Sequence, residues 1–327
     1  MTIEDTLLGI AIGDAFGFGL EFGDRDWIRE NINFKSFVNT RSKKKSKNIK
    51  PGIYSDDTEH TIGVVKAIMD ERPFSEELLL EYWKAEYESD MKEKGFPREG
   101  HGSIKHYYTG EKTIDEIREF QENRVDPGNA PAMRAVPIGF VGSNKINDYA
   151  IINADATHPH PLARASSILV ARAAEYLIVQ KGDEKKVIFH CKKLIDDAEM
   201  IYFLELVDSF PHPNNLSTGE YEILCGPQPI TFHNKKIYGL PCSSLRTGIS
   251  VLYTLKHSND AFEGLKNAVQ MGGDVDSLAA VCTGILAGKH GLKSLPSFML
   301  DEVEGVEKIK SLAADFEQYL NNKGSKR

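Results

Sequence analysis

Cysteine is scarce in this chain, and the four present (Cys191, Cys225, Cys242 and Cys282) have no pair at metal-binding or redox spacing. That excludes a disulfide framework and a thiolate zinc site, and it fits a reducing compartment. No apolar run approaches the roughly 20 residues that a membrane-spanning helix needs, and no basic region followed by an apolar one opens the chain. A soluble, cytoplasmic protein is the expectation. An excess of positive charge is also missing. The net charge of −8 gives no general attraction to nucleic acid or to an anionic membrane, so an anionic ligand has to be held locally. Strand-like alternation is nearly absent, and no linker or internal repeat divides the 327 residues, which predicts one domain over 1–327.

What the chain does have is helical periodicity with acidic clusters at helix starts. Ser55-Asp56-Asp57-Thr58 precedes a segment with Ile62, Val65, Ile68 and Met69 on one face, so Ser55 reads as an N-cap and Asp56 and Asp57 as first-turn acids. Gly272-Gly273-Asp274-Val275-Asp276-Ser277 reads as the end of one helix and the opening of the next, Leu278 to Lys289. Together the two segments offer six hard oxygen ligands: Ser55, Asp56, Asp57, Asp274, Asp276 and Ser277. Hard oxygens suit Mg²⁺ or Mn²⁺, and four like charges held close together would repel without counter-ions.

Further helices are expected from Ser75 through Tyr87, over Ala163 to Gln180 after Pro161, over Leu245 to Lys256 after Ser243 or Ser244, and over Ala261 to Met271 after Asn259. Gly9, Gly13 and Gly17 recur every four residues in the first helix and make a smooth stripe for close helix packing. Asp14, between glycines in that apolar helix, is expected to be buried and satisfied by backbone amides or by a contact behind the ligand site. Tyr221 to Tyr238, with Pro227 and Pro229, allows one short hairpin around Asn234. The basic cluster Arg41, Lys43, Lys44, Lys45, Lys47 and Lys50 reads as a solvated loop, or else as an attractor for a phosphate-rich substrate.

These residues resemble the ADP-ribosylglycohydrolases, which include hydrolases that remove ADP-ribose from arginine or serine side chains. The resemblance runs from Leu7 to about Pro296. Leu8-Gly9-Ile10-Ala11-Ile12-Gly13-Asp14-Ala15-Phe16-Gly17 with Glu21 is similar to the family's N-terminal signature. The two acidic segments match its metal signatures, Gly128-Asn129-Ala130-Pro131-Ala132-Met133-Arg134 is a variant of its Gly-Asn-Gly-x-x-Met-Arg segment, and Thr157-His158-Pro159-His160-Pro161 stands at its His-containing loop. The resemblance departs in three places: Ala130 stands for a usual glycine, Ser277 for a usual threonine, and Tyr221 to Pro241 has no counterpart that can be placed.

The resemblance implies an all-α fold, a compact orthogonal multi-helix bundle with a central metal cleft. It also implies a hydrolase that cleaves the glycosidic bond between ADP-ribose and an acceptor, such as an ADP-ribosylated protein side chain or a small molecule. Two Mg²⁺ (or Mn²⁺) ions, with Asp276 bridging, would orient the ribose hydroxyls and acidify a water that Asp57 guides. Glu21 stands where some members carry a glutamate that reaches the scissile bond; an exposed helix-end carboxylate is the other reading. Gly100, His101, Gly102 and Ser103 offer backbone amides for the pyrophosphate. Asn129, Met133 and Arg134 would face them across the groove, unless Arg134 pairs with a core acid, and His158 is preferred to His160 as a ligand contact. Two other readings stand beside this one. A non-catalytic ADP-ribose binder would be expected to have lost metal ligands, and none of the six is lost. A terpene or prenyl synthase shares the helical class and an aspartate-rich motif like Asp56-Asp57-Thr58-Glu59, but it expects a second ligand set at helical intervals inside a helix. The acceptor linkage is left open.

Overall fold

The computed structural model describes residues 3–38, 50–232 and 234–324; of the basic cluster only Lys50 falls among them. The described residues form seventeen α-helices and one two-stranded sheet, and the fold is all-α as expected. None of these helices is long and apolar enough to cross a membrane. The buried apolar side chains form one connected cluster from Ile3 to Phe316.

At the centre, the N-terminal helix Ile3–Phe18 lies against the helix Val275–His290, and both are buried along almost their whole length. The glycine stripe explains how they approach. A Cβ on Gly9 would fall 2.6 Å from that of Ala287, one on Gly13 would run into the carbonyl of Ala279, and one on Gly17 would lie 2.5 Å from the Cα of Asp276. Two backbones thus touch where side chains would ordinarily separate them, which offsets the helix propensity lost at each glycine.

Several helix starts follow the expected capping chemistry. Ser55 accepts the Asp57 amide and opens Asp56–Met69; Ser75 opens Glu76–Lys94; Ser243, not Ser244, caps Ser244–Lys256. Other boundaries differ from expectation. The helix expected from Leu278 begins at Val275, so Asp276 and Ser277 lie inside its first turn. Asp260 rather than Asn259 caps Ala261–Val269, because its carboxylate takes the Glu263 amide at 2.8 Å. The helix expected to reach Gln180 runs over Pro161–Ala174 and passes into a π-turn, Glu175–Val179.

The hairpin around Asn234 is present. Strand β1 (Ile230–Phe232) pairs antiparallel with β2 (Lys235–Ile237), in register Ile230 with Ile237, and Asn234 has φ +65°. The rest of the Tyr221 to Pro241 segment is more ordered than a divergent loop. Tyr221 lies in a helix, Thr218–Cys225, opened by a Ser217–Glu220 capping box.

Candidate active site

The first acidic cluster is fixed from below by Asp14. Its Oδ1 accepts the Ser55 amide at 2.9 Å, and its Oδ2 accepts the Thr58 amide at 2.9 Å and the Thr58 hydroxyl at 2.6 Å. A carboxylate from the glycine-striped helix therefore takes up orphan donors at the start of the helix Asp56–Met69. Asp56 and Asp57 are left facing a cleft. Ser55 stands one step behind, its hydroxyl accepting the Asp57 amide and donating to Asp57 Oδ2 at 3.1 Å.

The second cluster is shaped by backbone pairing at Gly273, which has φ +76°. Gly273 bridges Gly23 on one side and Leu240 on the other, and the Asp274 amide donates to the Leu240 carbonyl at 2.8 Å. Asp274 Oδ2 accepts from Asn129 Nδ2 at 2.5 Å, which ties the Gly-Asn segment to the acids. One carboxylate oxygen from each of Glu21, Asp274 and Asp276 lies within 4.8 Å of the others. Glu21 is thus a cleft residue, not an isolated helix-end carboxylate.

The two clusters meet in a single cleft. Asp56, Asp57, Asp274, Asp276, Ser277 and Glu21 line one part of it; Gly100, His101, Gly102, Ser103, Asn129, Met133, Arg134 and His158 line the remainder. A side chain at Gly100 would overlap the Asp56 carboxylate, so the glycine lets the loop lie directly on the acid. The helix after this loop, Ile104–Tyr108, is only five residues long, which leaves phosphate-type recognition there to the loop amides rather than to a helix dipole.

Burial governs the electrostatics. It raises the Asp14 carboxyl to about 6, with the Asp276 charge adding to the effect, and the Asp56 carboxyl to about 7 against the lowering influence of His101. Asp57 and Asp274 are pushed well above the usual carboxylate range by burial and by Asp276. Burial alone would lower the His101 imidazole, but its 2.6 Å hydrogen bond to Glu59, together with the charges of Asp56 and Glu59, raises it. Both His101 nitrogens face acceptors, Glu59 and the Arg98 carbonyl, so the ring is a cation and offers the cleft its backbone. Burial drives His158 well below its ordinary value. The Thr157 hydroxyl accepts from Arg134 and lies 2.7 Å from His158 Nδ1.

Among the described residues, Arg134 pairs with no acid. It donates to the Asn153 side chain and carbonyl and to Thr157, and stacks 3.7 Å above the Trp83 ring. Its main part is thus to brace the wall. His160 lies outside the cleft lining and caps its own helix through Nδ1.

Sequence reasoning missed several lining residues, notably Phe120, Gln121, Arg124, His60 and Cys242. Phe120 is 52% exposed on the helix Ile114–Glu122, with the Arg124 guanidinium 5.7 Å from its ring. Its signal was an aromatic residue off the buried stripe that Ile117 marks. Cys242, which lines the cleft beside Asp274, carried no sequence signal of its own.

Comparison with known proteins places this geometry. The model of the ADP-ribosylglycohydrolase family matches residues 2–326. The chain belongs to that family. It is 26% identical over 316 residues to an uncharacterized protein of Archaeoglobus fulgidus, covering 95% of this chain and 94% of that one. It is 27% identical to the ADP-ribosylhydrolase ARH3 of Xenopus tropicalis, covering 89% and 87%. A solved structure described as an ADP-ribosylglycohydrolase-related protein complex superposes with a TM-score of 0.69 at 17% identity, over 98% of this chain and 99% of that one, and so shares the fold. Membership in this family supports a glycohydrolase acting on ADP-ribose conjugates.

The donor set also answers which group the acids could hold. Asp57 Oδ1 is buried without a hydrogen-bond partner, and beside it lie carboxylates whose ionisation burial opposes. Every candidate ligand atom in the two acidic segments is oxygen, so the residues fit hard divalent cations rather than zinc.

Proposed function

We propose that this protein is a metal-dependent hydrolase that cleaves the glycosidic bond between the ADP-ribose ribose and an acceptor, with the two acidic clusters as its reaction centre. The observation that carries this reading is the convergence of Asp56, Asp57, Asp274, Asp276 and Glu21 on one cleft, with an orphaned, buried carboxylate oxygen at Asp57. In this reading Ser55, Asp56, Asp57, Asp274, Asp276 and Ser277 would hold two Mg²⁺ or Mn²⁺ ions. When bound, such ions supply positive charge against the carboxylates and Lewis acidity toward the ribose hydroxyls and water.

The protein's own groups divide the remaining work. The Ser55 hydroxyl fixes Asp57 Oδ2, so that Oδ1 faces the cleft as the atom that takes a proton from the attacking water. As the water oxygen bonds to the anomeric carbon, the bond to the acceptor breaks with its electron pair on the acceptor, which then takes up a proton. Glu21, among the Asp274 and Asp276 carboxylates, is placed to assist that proton movement. Asn129 keeps Asp274 in place, the Gly100–Ser103 loop gives amides to the pyrophosphate, and His158 lines the cleft as a neutral imidazole. The exposed ring of Phe120, flanked by Arg124, gives adenine an apolar face. An ADP-ribosylated protein is the expected partner, since the cleft opens to the surface beside Phe120.

The test is release of free ADP-ribose, followed by mass spectrometry, from arginine-, serine- and O-acetyl-linked conjugates with Mg²⁺, with a chelator, and with Asp276→Asn. Release that requires both the metal and Asp276 supports the reading and names the linkage. Tight ADP-ribose binding with no release from any conjugate would instead make this a binding protein.

A further inference from the structure

Glu21 reaches the acids from a turn whose backbone is unusual. Phe22, the next residue, has φ +52°, a left-handed conformation that a bulky side chain adopts only when its surroundings hold it there. Those surroundings are the Gly273 turn and the segment Tyr221 to Pro241. The Phe22 amide donates to the Gly273 carbonyl at 2.7 Å, and the Gly273 amide returns a bond to the Gly23 carbonyl at 2.9 Å. The Arg25 amide donates to the Tyr238 carbonyl at 2.8 Å, and the Tyr238 amide to Asp24 Oδ2 at 2.9 Å. Behind them, Gln228 binds both the amide and the carbonyl of Gly239 at 2.9 Å, and the Arg25 guanidinium sits 4.0 Å above the Tyr221 ring.

Within this arrangement a ring contact joins the hairpin to the Glu21 turn. The Phe22 and Phe232 rings stack with centroids 3.5 Å apart and planes at 11°. Phe232 closes strand β1 and is half-buried, while Thr231, Lys235 and Lys236 around it are exposed. A hairpin this short is not stable alone, and here it rests on the turn it covers.

We infer that Phe232 is a positioning residue for Glu21: its ring clamps Phe22 in the left-handed conformation and so holds the Glu21 carboxylate toward Asp274 and Asp276. The kinetic part of this inference rests on the role given to Glu21 in the proposed function; the structural part does not. Removing the ring frees Phe22 to relax to negative φ, which swings the preceding side chain away from the acids. Phe232 is half-buried on the hairpin, so the change falls on the hairpin and the turn it covers rather than on the central helices.

Hydrogen exchange resolved by mass spectrometry across residues 19–26, comparing the intact protein with Phe232→Ala, tests the clamp without reference to activity. Faster exchange at the Phe22 amide, with the helix Asp56–Met69 unchanged and protection restored in Phe232→Tyr, is the expected result. Unchanged exchange at Phe22 would overturn the inference, and Phe22→Leu, which removes the stack from the other side, repeats the test should Phe232→Ala fold poorly. In kinetics on a conjugate that the intact protein cleaves, Phe232→Ala lowers kcat by about ten- to a hundredfold with little change in KM, as expected for a misplaced group. Adding Phe232→Ala to Glu21→Gln then costs nothing more. A double variant slowed by the full product of the two factors would show that Phe232 acts independently of Glu21 and would sink the inference. If the intact protein cleaves no conjugate, the functional reading fails and the exchange measurement still decides the clamp.

Discussion

Asp14 Oδ2 receives both the amide (2.9 Å) and the hydroxyl (2.6 Å) of Thr58. With the Ser55 amide on Oδ1, one fully buried side chain thus joins the glycine-striped helix to the turn that aims Asp56 and Asp57.

Asp14→Ala leaves those donors buried without acceptors, and each such orphan costs roughly 1–3 kcal/mol. Its unfolding free energy should fall by about 2–4 kcal/mol, allowing for partial relaxation and non-additivity. Asp14→Asn keeps an acceptor for Ser55 but, with its oxygen so placed, sets its NH₂ against the Thr58 donors, so it should fall between Ala and the native protein. Urea unfolding reads both changes, and an unaltered midpoint in Asp14→Ala would show that the bonds do not stabilise the fold.

The acids predict a coupling between pH, stability and metal. Burial raises the Asp14 and Asp56 carboxyls from 3.8 to about 6 and about 7, and it pushes Asp57 and Asp274 well above the usual carboxylate range. The folded state therefore holds more protons than the unfolded one, and this contribution to stability is lost as pH rises from 3.8 through about 7. Divalent cations held by these carboxylates would replace those protons. Mg²⁺ should raise the Tm more at pH 8 than at pH 5, with protons released on binding. Melting curves with Mg²⁺ and with a chelator at the two pH values make the comparison; an equal Tm shift at both would place the cations elsewhere.

The ring of Phe120 makes a separate claim about the ligand. A base stacked on an aromatic side chain is worth about 1–3 kcal/mol, so Phe120→Ala should weaken ADP-ribose binding by about five- to a hundredfold. Phe120→Tyr should bind nearly as well as the native protein, because the face is retained. Titration calorimetry with ADP-ribose measures this, and unchanged affinity in Phe120→Ala would put adenine on another wall.

The helices and both acidic turns were legible because capping and charge are local: Ser55 with Asp56 and Asp57 announces a helix start in four residues. The glycine stripe was readable as a packing face, but nothing nearby in sequence says that its partner is the helix carrying Asp276. That pairing links residues 9–17 to 276–287, and only the tertiary structure supplies it. Asn259 and Asp260 both suit a cap and a one-residue shift leaves no trace in the pattern, so only the structure places the cap on Asp260. Phe120 and Phe232 escaped because a lone aromatic in a polar helix or hairpin has no periodic signature. Arg134 invited an ionic reading, whereas its environment is amide, hydroxyl and indole.

That long-range pairing makes the stripe a test of how folding and chemistry are joined. At an exposed helical site Gly→Ala would stabilise by about 1 kcal/mol. At Gly9 the added methyl meets the Ala287 side chain and the Thr283 carbonyl, far from the cleft; at Gly17 it meets the Asp276 Cα at 2.5 Å and the Val275 carbonyl at 2.7 Å. Both helices must part, and overpacking of this kind costs about 1–3 kcal/mol. The two variants should therefore lose similar stability, but only Gly17→Ala moves the backbone that carries Asp276. Assayed well below their melting temperatures, Gly9→Ala should retain most of its ADP-ribose release, while Gly17→Ala falls at least tenfold, the scale expected when a reacting group shifts by a fraction of an ångström. Equal losses in the two would mean that the stripe acts through stability alone, and that the position of Asp276 tolerates the shift.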